Sequence, residues 1–106
     1  MPKFLVKATY TAEGHKGLAK DSASSRKAVL ASAAKKLGGK LEAFYFTLGE
    51  DDAILILDMP DHIAMAAVAT AACASGAVRT HTDLLLTAAE MDDALAKPVN
   101  YRAPGA

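Results

Sequence analysis

Apolar and polar positions change period several times along this chain, and each change marks an element. Residues 3–10, KFLVKATY, alternate as a strand does. Phe4, Val6, Ala8 and Tyr10 fall on one face, and Lys3, Leu5, Lys7 and Thr9 on the other. Both faces carry apolar atoms, so neither is simply solvated. Residues 11–14 read as a loop. Residues 15–37 take a helical period, with a break near 21–24. In the second portion Val29, Ala33 and Leu37 sit four apart with Leu30 and Ala34 beside them, while Arg26, Lys27, Lys35 and Lys36 take much of the opposite side. Ser24 or Ser25 is the expected cap at its start, and Gly38-Gly39 the stop at its end.

The centre of the pattern is GGKLEAFYFTLGEDDAILILDMP, residues 38–60. Two apolar runs, 41–48 and 53–57, flank the acidic turn Gly49-Glu50-Asp51-Asp52, and their aromatic and branched residues suit a hairpin. Tyr45 points to one face of its strand and the Phe44/Phe46 pair to the other; one set is expected in the core and the other against a partner. Asp61 is an N-cap for a helix over 62–74. That helix is small and apolar on all sides, which predicts burial, or close packing on more than one side. Residues 77–86 form a fourth strand. Thr87-Ala88-Ala89-Glu90 is a capping box that opens a short helix to about Lys97, and Pro98 stops it. A single domain over 1–98 and a tail over 99–106 follow.

The order β-α-β-β-α-β, then α, predicts an α+β fold of the ferredoxin-like kind with spatial strand order 4-1-3-2. Its helices cover one sheet face. The other face is too apolar to leave in water, so a second copy of the chain is expected to close against it as a dimeric α/β barrel.

Composition narrows the function. With 106 residues, 52% of them hydrophobic, there is enough for one core, yet a domain this size buries only about 60–70% of its unfolded surface. Twelve Lys and Arg against twelve Asp and Glu leave no basic excess, which argues against a nucleic-acid partner. The longest weakly polar stretch, 63–78, is mostly Ala and too short to span a bilayer, so no membrane role is read and the cytoplasm is the expected compartment. The lone Cys73 rules out an internal disulfide and is expected to be buried and inert. No metal-ligand spacing links His15, His62 and His81, no phosphate loop is present, and no cofactor is expected.

The chain resembles the GYD-domain family. The resemblance is carried by YTAEGHKGLAKD, GGKLEAFYFTLGEDDAILILDMPD and ASGAVRTHTDLLLTAAEMD, and it runs over about residues 2–104. It implies a ferredoxin-like fold of the dimeric α/β-barrel kind and says little about activity. Two positions depart from the family pattern. Asp51 stands where the resemblance implies tyrosine, and His81 where it more often implies lysine, so any part played by that tyrosine hydroxyl is absent here or moved elsewhere.

The candidate ligand-binding residues are Lys7, Thr9, Tyr10, His15, Tyr45, Arg79 and His81. In the expected strand order Lys7 and Thr9 neighbour Arg79, His81 and Asp83, a cationic cluster suited to a carboxylate, enolate or phenolate. Arg79 offers a planar fork for an anionic oxygen, and histidine is the side chain whose ordinary titration lies nearest neutrality. The competing reading makes these residues interface ion pairs and rim hydrogen bonds. The three carboxylates of the 50–52 turn are read as solvated. Two functions remain: a small-ligand-binding protein that works as a homodimer or higher homo-oligomer, and a cofactor-independent oxygenase or isomerase acting on a small hydrophobic anion. In the second, His81 or His15 would be the base, Arg79 the anion stabiliser, and Tyr10 or Tyr45 the hydroxyl donor.

Overall fold

A computed structural model describes residues 1–106. The elements run β1 (Lys3–Tyr10), α1 (Ala12–Asp21), α2 (Ala23–Lys36), β2 (Lys40–Phe46), β3 (Ala53–Asp58), α3 (His62–Ala74), β4 (Val78–Leu85) and α4 (Ala88–Ala96). The four strands form one antiparallel sheet in the order β2-β3-β1-β4, which is the expected ferredoxin-like order read from the other edge. α2 lies over β2 and α3 over β4. The core fills the space between them and the sheet, with Phe4, Val6, Ala8, Phe44, Leu55 and Leu57 from the strands meeting Ala34 and Met65 from the helices. No helix is long and apolar enough to cross a membrane.

A register shift between Leu41 and Ala43 decides how β2 joins this core. Leu41 and Phe44 are three apart, so strict alternation would send them to opposite faces. The bulge at Glu42 inserts one residue, and Leu41 then pairs with Leu57 while Phe44 pairs with Leu55, both on the core face.

Four local expectations change. Residues 11–14 are not a loop: Thr11 is the N-cap of α1, its Oγ1 accepting the Gly14 N–H at 3.1 Å. The break near 21–24 is real, but Ser22 caps α2, in place of Ser24 or Ser25. Its side chain accepts from the Ser25 N–H, and it sits at φ 113°, ψ 156°. α3 is covered on one side only; Met65 is buried while Ile63 is 65% exposed. Cys73, expected to be buried, is exposed on that helix and lies 3.4 Å from the Thr80 hydroxyl. Alanine stretches are apolar enough to look internal, but their short side chains do not reach a second layer.

Only 12 of the 106 residues are buried, none of them polar, so the single chain leaves much apolar surface open. α4 carries none of the buried residues. Leu84, Leu86, Met91, Leu95, Val99 and Tyr101 are all exposed along β4, α4 and the tail. The radius of gyration is 16.9 Å, against about 13 Å for a closely packed chain of this length. The C-terminal arm therefore projects from the sheet without cover.

Candidate functional site

The uncovered sheet face is built by alternation and register. Lys3, Leu5, Lys7 and Thr9 point away from the core. Their partners across β4 are Leu85, Asp83, His81 and Arg79, and across β3 Lys3, Leu5 and Lys7 face Asp58, Ile56 and Ile54. Tyr45 continues the Lys7 row through Ile54 and is 72% exposed. Lys7 and Thr9, expected beside Arg79, His81 and Asp83, pair with His81 and Arg79, while Asp83 pairs with Leu5.

Charge is distributed unevenly over this face. At one end Lys3 Nζ lies 2.8 Å from Asp58 Oδ1 and 2.8 Å from Glu42 Oε2, the second reached because the bulge aims Glu42 towards it. Hydrogen bonds to Asp58, then to Glu42, hold the Lys3 ammonium's pKa above its ordinary value. Leu5, Ile56 and Ala43 form an apolar belt across three strands, with Asp83 at its β4 end. At the other end Lys7, His81 and Arg79 make no ion pair with any carboxylate, the only other ion-pair contact being His15 with Asp52. A compensated end, an apolar belt and an end whose Arg and Lys form no ion pair suit a small organic anion, because Arg and Lys can meet its oxygens while the belt takes its hydrocarbon.

Asp51 borders the cationic end. Its Oδ1 lies 3.4 Å from the Thr9 hydroxyl, beside the Thr9–Arg79 row. The acidic turn therefore adjoins the candidate residues and is not remote from them.

Tyr10 and His15 do not join this face. Tyr10 belongs to the core-facing set of β1, where its ring stacks on Phe46 with centroids 6.5 Å apart and tilts against His15 at 5.7 Å. His15 lies within α1, not in a loop, because that helix starts earlier than the composition indicates. Its Nε2 is 3.5 Å from Asp52 Oδ2, and the same oxygen accepts the backbone N–H of Tyr10 at 2.8 Å. The seven candidates fall into two groups on opposite sides of the sheet: Lys7, Thr9, Tyr45, Arg79 and His81 on one, Tyr10 and His15 on the other.

Thr11 locks the second group in place. Besides capping α1, it donates from Oγ1 to the Gly76 carbonyl at 2.8 Å and from its backbone N–H to the Ala77 carbonyl at 3.0 Å. Gly14 packs so closely on that turn that a Cβ there would collide with the Ala77 oxygen.

Two residues escaped the sequence reading. Asp52 belongs to a turn whose carboxylates were expected to be solvated, yet it binds the end of β1. Arg26 was placed with the lysines on the solvated side of α2, yet it is half-buried and borders the apolar space between α2 and α3. Its spacing of four from Leu30 is the signal that could have shown this.

A model of the GYD domain matches residues 4–95 of the chain. No curated protein and no solved structure matches it.

Proposed function

The chain belongs to the GYD-domain family, and we propose that it is a small-ligand-binding protein that works as a homodimer, with the open sheet face of one copy closed against a second. The reading rests on the register that lines up Lys7 with His81 and Thr9 with Arg79 at the end of an apolar belt, with none of the three basic side chains in an ion pair. Burying that belt against a second copy removes the half-exposed surface of Leu5, Ile54 and Ile56 from water. It would also lower the dielectric around the cations and strengthen their hold on an anion. The projecting α4 supports the same reading. A nine-residue helix is marginal alone in water, and its Met91 and Leu95 would find cover on a neighbouring copy. The ligand in this proposal is an aromatic carboxylate, its ring against Tyr45 and the apolar belt and its oxygens on Arg79 and Lys7.

Sedimentation equilibrium tests the assembly, and calorimetric titration with salicylate tests the site. The expected results are a dimer mass, and saturable binding that Arg79→Ala weakens roughly tenfold or more. A monomer at all concentrations would overturn the assembly, and equal binding by Arg79→Ala would overturn the site.

One observation favours a catalytic reading. Asp52 Oδ2 lies 3.5 Å from His15 Nε2, beside the Tyr10 ring, and a carboxylate so placed can orient an imidazole as a general base. In that reading His15, not His81, abstracts the proton, because His81 has no carboxylate partner and sits on the other side of the sheet.

A further inference from the structure

α2 and α3 do not close over the sheet. Between them, and bounded at one end by α1, lies a cleft of about 460 Å³. Leu18, Val29, Leu30 and Ala33 form one wall, and Ala67 and Ala71 the other. The opening has a local cause. Where a helix facing a core usually carries Leu or Ile, α3 carries alanine, and α1 carries Gly17, beside which a Cβ would meet nothing within 4 Å. The cleft continues inward through a narrow space of about 40 Å³ over Phe44 and Leu55. A site of this size and lining falls in the range of small-ligand pockets.

Its charge is placed selectively. Arg26 borders both the outer cleft and the inner space, whereas Glu13 and Asp21 border only the outer part. Arg26 forms no ion pair, although both acids line the same cleft, and its side chain makes no hydrogen bond. The guanidinium has no protein partner, and none of its nitrogens is shut off from water, so its donors are free to meet an anion that enters the cleft. From Arg26 the wall runs along α2 to Leu37, eleven residues or about 16 Å of helix rise. That run matches a medium-length hydrocarbon chain leading away from the charge.

We propose that the α2–α3 cleft of each chain binds a medium-chain aliphatic carboxylate, with its head group on Arg26 and its chain along Val29, Ala33 and Leu37 opposite Ala67 and Ala71. This site lies on the helix side of the sheet and does not depend on the open face or on dimer formation. Arg26 supplies the forked donor that a carboxylate accepts in two parallel hydrogen bonds. Tyr10 belongs to the same lining, and its hydroxyl is a neutral donor. Asp21 ends α1 just before α2 begins and so lies towards the Arg26 end, whereas the α2 lining beyond Arg26, through Val29, Leu30 and Ala33 to Leu37, carries no charge, which suits a ligand charged only at its head.

The full chain is titrated calorimetrically with decanoate, with decanol and decyltrimethylammonium as probes of the same chain length. The expected result is saturable binding of one decanoate per chain, with decanol weaker. Arg26→Gln weakens decanoate roughly tenfold to a hundredfold and leaves the far-ultraviolet circular dichroism unchanged, because Arg26 supports no hydrogen bond of the fold. Ala71→Leu fills the cleft and also reduces binding; Ala33→Leu serves if the first variant does not fold. Arg79→Ala binds decanoate as the parent does, which separates this site from the open face. The proposal is overturned by the absence of saturable binding, by Arg26→Gln binding as tightly as the parent, by tighter binding of decyltrimethylammonium than of decanoate, or by loss of decanoate binding in Arg79→Ala.

Discussion

The Asp52 carboxylate accepts the backbone N–H of Tyr10 at 2.8 Å through Oδ2, joining the hairpin turn to the last residue of β1 across 42 positions of sequence. The backbone repeats the link, since the Asp52 N–H donates to the Ala8 carbonyl at 2.9 Å. The side-chain bond satisfies a main-chain donor at the strand end and fixes where α1, with His15, leaves the sheet.

Asp52→Ala removes that acceptor and the contact to His15 together. A loss of about 1–2 kcal/mol in urea unfolding is expected, the range for a charge-assisted bond that is not fully buried. Asp52→Asn keeps an acceptor and should lose less than half as much. Equal losses would show that the carboxylate charge, rather than the hydrogen bond, holds the turn.

Ser22 sits at φ 113°, ψ 156° between α1 and α2, a region that glycine adopts far more readily than serine. Its hydroxyl also caps α2 by accepting the Ser25 N–H at 3.2 Å. Glycine relieves about 1–3 kcal/mol of strain and gives up only a few tenths as a cap. Ser22→Gly should therefore raise the midpoint of thermal unfolding, and Ser22→Ala, which keeps the strain and loses the cap, should lower it.

Ile56 lies at the centre of the open face, opposite Leu5 and Ala43. If that face closes on a second copy, Ile56→Glu buries an unpaired carboxylate at the contact. Sedimentation equilibrium should then show a shift to monomer with little change in the circular dichroism of the fold. A dimer that survives this change would place the contact elsewhere, with the C-terminal arm the next region to test.

Glu90 belongs to the capping box of α4: it accepts the Thr87 backbone N–H at 2.8 Å, while the Glu90 N–H donates to the Thr87 hydroxyl at 3.1 Å. The backbone bond from Thr87 is the main reason its carboxyl sits below the ordinary glutamate value. A depressed folded pKa means that protonation favours the unwound arm. The contribution is complete above the unfolded value and is lost as pH falls through the lower, folded one. Amide exchange of residues 88–96 should accelerate over that acidic window, and Glu90→Gln should flatten the dependence.

Most elements were legible because their signals are local. The alternation of Phe4, Val6 and Ala8 against Leu5 and Lys7 is an effect of neighbouring side chains on one strand, and the box at Thr87 and Glu90 spans a single helical turn. Both survive into the structure without change. The strand order and the nearness of Lys7 and Thr9 to Arg79 and His81 were also legible, because in that order the pleat puts the odd residues of β1 and β4 on one face; the pairs themselves are set by the register. The start of α1 was missed because Ala12-Glu13-Gly14 reads as a turn until Thr11 is seen capping it with support from the α3–β4 connection. Local composition carries no trace of a carbonyl 66 positions away.

Residue types and their periods thus settle which segments are strands and helices, which strand face is apolar, and that the charges balance. They do so because propensity and amphipathic period act over a few residues. The Glu42 bulge, the hold of Asp52 on Tyr10, the separation of His15 from His81, and the turn of Arg26 into the cleft arise only when distant segments meet. Each depends on closing long loops and on how much space the alanines of α3 leave unfilled. Those quantities belong to the packed chain and to no stretch of it alone.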